Sequence, residues 1–133
     1  FTILAALTGD DRYRAAADQL LRRLAPLMGQ EPRFFGNALT ALDMATGDLR
    51  EVAIVGADTE PGRQDLVDAF WRRYRPHAVI SVGEPDAPGL PLLESRPRLD
   101  GVPTAFVCRN FACLQPVTHP QQLDEQLADS EWT

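Results

Sequence analysis

Apolar positions in the first third of the chain recur with a helical period. Residues 1–7, Phe-Thr-Ile-Leu-Ala-Ala-Leu, read as the last turns of a helix whose beginning is absent. Thr8-Gly9 ends it, because glycine tolerates the left-handed conformation just past a helix end. Thr8 and Asp11 stand at capping-box spacing, with Asp in place of Glu, for a second helix from about Asp10 to Met28. Tyr13, Ala16, Ala17, Leu20, Leu24, Leu27 and Met28 fall on one stripe of that helix, and Pro26 predicts an irregular last turn. After a break at 29–32, a helix is expected from about Arg33 to Ala45, with Phe35, Leu39 and Leu42 on one face, ending at Gly47.

The period then changes. Val52-Ala53-Ile54-Val55, closed by Gly56, is the continuous apolar run of a strand covered on both faces. Asp58 or Thr59 is placed to cap a helix from about Pro61 to Tyr74, with Leu66, Val67, Phe70, Trp71 and Tyr74 on its apolar face. His77 to Val82 reads as the second strand and Thr104 to Cys108 as the third. The Pro- and Gly-rich stretch between them reads as an ordered loop, with room for a short edge segment at Leu92-Leu93. Thr118, His119 and Pro120 open a final helix to about Asp129. Strand, helix, strand, loop, strand, helix predicts an α/β fold: a small, mostly parallel sheet of three or four strands with right-handed crossovers. A helical pair precedes it.

Composition narrows the function classes. The 133 residues are 44% apolar and 24% charged, which is a soluble globular composition. The longest apolar run, Ile3 to Leu7, is too short to span a bilayer. The net charge of −6 is concentrated after residue 50, and no basic face is available to neutralise phosphates. Nucleic acid and anionic membranes are therefore not expected partners. Two cysteines do not make a disulfide framework, and a reducing cytoplasmic compartment is the simplest expectation.

Candidate chemistry is sparse. The first β-to-α turn, Gly56-Ala57-Asp58-Thr59-Glu60-Pro61-Gly62, lacks a phosphate-binding glycine pattern and carries two acids where an anion would sit. It reads as a structural turn rather than a nucleotide site. Cys108-Arg109-Asn110-Phe111-Ala112-Cys113 is the most unusual segment. Its cysteines read first as thiols packed like small hydrophobes. A disulfide is open to them if their Cα atoms approach within about 7 Å. A nucleophile activated by Arg109 is a third reading. A metal site would have to recruit His77 and His119, whose separations fit no finger or ribbon. A triad through His119 has no supporting local motif. Arg96 and Arg98 have the charge to bind an anion, yet acids stand close in sequence to pair with them.

Gly101-Val-Pro-Thr-Ala-Phe-Val-Cys-Arg-Asn-Phe-Ala-Cys113, with Pro116-Val117-Thr118 after it and Leu92-Leu93-Glu94 and Arg96-Pro97 before it, resembles the carboxyl end of a known family. These are the bacterial thioredoxin-domain-containing proteins related to the spermatogenesis-associated thioredoxin-like protein. The Leu7-Thr8-Gly9-Asp10 break and the Glu51 to Gly56 strand agree with it; Ser95 and Val102 depart from the Gly and Lys expected there. The resemblance implies that residues 1–47 are the tail of an (α/α) toroid similar to that of sugar epimerases and six-hairpin glycosidases. Residues 48–133 would be a C-terminal α/β domain. The lack of an acid/base or nucleophile constellation and the apolar helices point to a noncatalytic structural or interaction domain without cofactor or metal, whose expected partners are the toroid and thioredoxin-like domains that the resemblance implies. The alternative is that the Cys108/Cys113 loop, with Arg109, contributes to a redox or carbohydrate-processing site completed by those domains. Helices separated from their neighbours expose apolar surface, so the isolated chain is expected to self-associate.

Overall fold

A computed structural model describes residues 1–128. In chain order the elements are α1 (Thr2–Thr8), α2 (Asp11–Gln30), a 3-10 turn (Pro32–Phe34), α3 (Gly36–Thr46), β1 (Arg50–Val55) and α4 (Pro61–Trp71). Then come β2 (Ala78–Gly83), 3-10 turns at Pro91–Leu93 and Leu99–Gly101, β3 (Thr104–Arg109), β4 (Ala112–Cys113) and α5 (Pro120–Ala128). Asp129, the expected end of the last helix, lies outside the described residues.

The four strands form one sheet in the order β2-β1-β3-β4. β1 and β2 are parallel, crossed over by α4 as the pattern predicts. β3 runs antiparallel to β1, and β4 antiparallel to β3, so the expectation of a mostly parallel sheet is corrected to a mixed one. The reason is the connection between β2 and β3. A parallel strand needs a crossover that carries the chain back to the other end of the sheet, usually a helix. Residues 84–103 form only short turns and stay at one end: Val55 is in register with both Gly83, where β2 ends, and Thr104, where β3 begins. Leu92-Leu93 is likewise not an edge segment. It sits in a 3-10 turn opened by Pro91, and both leucines are fully buried against the sheet.

The sheet is covered on both faces, which is why every residue of β1 is buried. Val52, Ile54, Ala105 and Val107 face Leu66, Ala69 and Phe70 of α4 and Leu123 of α5. Ala53, Val55, Phe106 and Cys108 face the other way, against Leu92 and Leu93, with Leu7 of α1 packed beside them. Alternation along each strand thus sends one set of side chains to each layer.

The helices correct three details of the pattern. Asp10, not Thr8, caps α2, its carboxylate accepting from the Arg12 N–H at 2.9 Å, while the Thr8 hydroxyl donates back to the Leu4 carbonyl. Helix α2 runs through Pro26 to Gln30, and its buried positions are Ala17, Leu21 and Met28; Leu20 and Leu27 are exposed. Helix α4 stops at Trp71, leaving Trp71 and Tyr74 in solvent rather than on its buried face. No helix among the described residues is long and apolar enough to cross a membrane.

Candidate functional site

β3 and β4 form a hairpin through Asn110-Phe111, with Arg109 opposite Ala112 and Cys108 opposite Cys113. Both turn residues have positive φ, 49° and 64°, the backbone twist that lets a two-residue turn match the twist of its strands. Asn adopts that conformation readily; Phe does not. Phe111 is held there from three sides. Its N–H donates to the Glu51 carboxylate at 2.8 Å. Its ring lies under the Arg96 guanidinium, 5.8 Å from the centroid. The same ring fills the space beside Gly9, where a Cβ would come within 3.0 Å of it; Gly9 also has φ of +68°, so glycine is required there twice over.

Cys108 and Cys113 are joined as a disulfide across the hairpin, their Cα atoms 3.8 Å apart. The two packed thiols favoured by composition are therefore one cystine. Directly opposed residues on antiparallel strands share a face and stand close together, a geometry that needs β4, which the sequence pattern does not reveal. Cys108 is fully buried; Cys113 is exposed. The register also sets Glu51 of β1 opposite Cys108, so Glu51, Cys108 and Cys113 form one row across three strands.

Arg96 lies over this row. Its Nη2 is 3.6 Å from the Cys108 sulfur and 3.3 Å from the Cys113 sulfur. Nη1 donates to the Glu94 carbonyl at 3.0 Å, while Nε is buried without a partner. The residue is 7% exposed, and among the described residues no carboxylate comes within salt-bridge range of it. Burial lowers its pKa, and the nearby charge of Glu51 acts against that. Burial also pushes the Glu51 carboxyl above its ordinary value, opposed by the turn N–H groups of Phe111 and Asn110 and by the charges of Arg14 and Arg96. Glu94, Arg96, Phe111 and Cys113 line part of an open groove of about 860 Å³.

The remaining candidates are placed elsewhere. Arg109, next to Cys108 in sequence, points to the opposite face by strand alternation and pairs with Asp48 at 3.0 Å. Arg98 does pair with an acid, but with Glu60 of the distant β1–α4 turn at 3.0 Å rather than with one close in sequence. Glu60 in turn accepts from the Ala57 N–H at 2.6 Å, so the first β-to-α turn satisfies its own donor with its own carboxylate. His77 is 2.6 Å from the Asp43 carboxylate. Among the described residues no group of three or more His, Cys, Asp or Glu side chains converges to hold a metal ion. Sequence reasoning grouped Arg96 with Arg98 because both stand near acids. The missing signal was its burial, which only the folded loop reveals.

No family model matches the chain, and no solved structure matches it. It is 27% identical over 129 residues to spermatogenesis-associated protein 20 of Homo sapiens. That alignment takes in 93% of this chain but spans only 16% of the length of the curated relative it matches.

Proposed function

We propose that this chain is a noncatalytic C-terminal structural and interaction domain of a longer protein. In this reading residues 1–47 are the tail of an (α/α) toroid, residues 48–133 are the α/β domain that follows it, and the rest of the same polypeptide, thioredoxin-like domain included, is the partner. The observation that carries the reading is the helical surface. Of the twenty residues of α2, Ala17, Leu21 and Met28 are buried, whereas Leu20 and Leu27 are about half exposed, and Phe34 beyond them is 72% exposed. Helix α3 has no fully buried residue at all. Leu20 and Leu27, seven residues apart on α2, share one stripe, and exposed apolar surface on one helix face usually meets a partner. The short span of the relative that the chain covers supports a partner within the same polypeptide.

Sedimentation velocity over a range of concentrations tests this. The isolated chain is expected to self-associate, and Leu20→Glu with Leu27→Glu is expected to return it to monomer. A wild-type chain that stays monomeric at high concentration would overturn the docking reading.

A second reading, that the Cys108/Cys113 loop contributes to a redox site, is favoured by the guanidinium lying against both sulfurs. A cytoplasmic location, which we retain as a proposal, bears on it. Permanent disulfides are rare in reducing compartments, so a cystine there is one that opens and closes.

A further inference from the structure

We propose that the Cys108–Cys113 disulfide is a thiol–disulfide exchange site for dithiol reductants, with Cys113 as the sulfur attacked and Arg96 as the group that receives the departing Cys108 thiolate. This deepens the redox reading of the hairpin and rests on it; it does not depend on the docking reading of the helices.

The charge balance points there first. A buried guanidinium without a counter-ion is costly, because its hydration is lost and nothing replaces it. Arg96 approaches that position while the cystine is closed: its contacts are two neutral sulfurs, one carbonyl and the Phe111 ring, its buried Nε has no partner, and the charge of Glu51 acts on it only from beyond salt-bridge range. Opening the disulfide places an anion at a distance where a charge-assisted contact forms at once. The reduced state therefore gains an ion pair that the oxidised state lacks, and a disulfide whose reduced form is stabilised is a readily reduced one.

Access fixes the direction. Cys108 is sealed inside the layer formed by Phe106, Leu92 and Leu93, so a reagent meets the bond from the exposed Cys113 side, along the open groove. A thiolate of the reductant attacks the Cys113 sulfur and forms a new S–S bond with it. The Cys108–Cys113 bond breaks, and its electron pair leaves on the Cys108 sulfur beside Arg96. The second thiol of the reductant then attacks its own sulfur in the mixed disulfide and releases Cys113. The dithiol becomes a disulfide and the cystine becomes two cysteines; of the two protons the dithiol gives up, one ends on Cys113 and the other passes to solvent while Cys108 stays a thiolate beside Arg96.

The hairpin does not need the bond to keep its shape. The Leu114 N–H donates to the Val107 carbonyl at 2.9 Å, Ala105 and Val117 exchange two backbone hydrogen bonds, and Glu51 holds the turn through the Phe111 N–H. The sulfurs thus stay close enough to close again.

The test uses the full chain and dithiothreitol as reductant. Reduction is followed by quenching with iodoacetamide and weighing the products. The reduced protein is then alkylated across a pH series. The charged groups facing the sulfurs are Arg96 from the loop and Glu51 from β1, with Arg14 of α2 acting on Glu51. One thiol of the wild type is expected to react as a thiolate below the ordinary cysteine value of about 8.5. Arg96→Gln is expected to restore ordinary titration and slow reduction by about tenfold, the worth of one hydrogen bond to a charged group; Arg96→Lys should fall between. If Arg96→Gln does not fold, the wild-type pH profile decides alone. Two thiols that titrate at or above 8.5, equal reduction rates in wild type and Arg96→Gln, or two free thiols in air-equilibrated protein would each overturn the proposal. None of these outcomes alters the sedimentation result that tests docking.

Discussion

Reducing the disulfide should weaken the fold modestly and leave it standing. The bond joins residues five apart, closing a loop of about six residues. The chain-entropy relation for a loop that short gives a contribution of about 2 kcal/mol. The ion pair that Arg96 gains with a thiolate acts in the opposite direction, so this value is an upper bound for reduction. Against the roughly 5–15 kcal/mol typical of a domain, the loss is survivable. For a chain of this length it corresponds to a fall in melting temperature of about 7 °C. Urea titration with and without tris(carboxyethyl)phosphine measures it directly. A Cys108→Ala/Cys113→Ser variant serves as the control that can form neither the bond nor the thiolate. The control should be less stable than the reduced wild type, because it loses the sulfur packed in the core as well as the anion beside Arg96. Unfolding on reduction, or a loss above about 4 kcal/mol, would refute the reasoning. The cystine would then be a staple on which the hairpin depends, and the hydrogen bonds credited with holding it would be insufficient.

Two further substitutions probe the parts that hold the hairpin in place. Gly9→Ala forces an L side chain into the left-handed region, at about 1–2 kcal/mol, and sets its Cβ 3.0 Å from the Phe111 ring, so thermal melting should show a loss at or above the top of that range. Glu51→Gln keeps an oxygen to accept the Phe111 N–H but cannot ionise. Because burial raises the folded-state pKa of Glu51 above its ordinary 4.5, the wild type holds that proton more tightly folded than unfolded. Its contribution is fully present below the unfolded value and is lost as pH rises through the folded one. The variant should therefore match wild type in acid and exceed it at about pH 7; a stability difference independent of pH would refute the assignment.

The element types were legible wherever burial is one-sided or complete. The run Val52 to Val55 reads as a two-face-covered strand because its residues are in fact divided between two layers. Helix α2 was legible as a helix but not as a face. Its leucines mark two stripes, and composition alone does not say that Ala17, Leu21 and Met28 turn inward while Leu20 and Leu27 do not. The two-residue β4 was not legible, because no hydrophobic period exists over a length of two. Its turn carries Asn-Phe in place of the glycine that usually announces such a hairpin. Phe111 occupies that position because Gly9, Glu51 and Arg96 hold it there, and these contacts come from three distant parts of the chain.

The direction of β3 and the chemistry of its cysteines are a single structural fact. Were β3 parallel to β1, Thr104 would lie beside the start of β1. Cys108 would then reach the far end, near Val55 and the Glu60 turn. No carboxylate row would form, and Arg109 would be the natural guanidinium to assign to the thiol. With β3 antiparallel, the loop at 84–103 stays at the end of the sheet where β1 and β2 finish. Its return leads β3 back along β1 until Cys108 meets Glu51, and the next turn brings Cys113 across from Cys108. The same loop carries Arg96 over the buried face of that row. A connection without a crossover helix thus gathers a carboxylate, a cystine and a buried guanidinium that lie 51, 108, 113 and 96 residues along the chain. A test of Arg96 is for that reason also a test of whether this loop keeps to one end of the sheet.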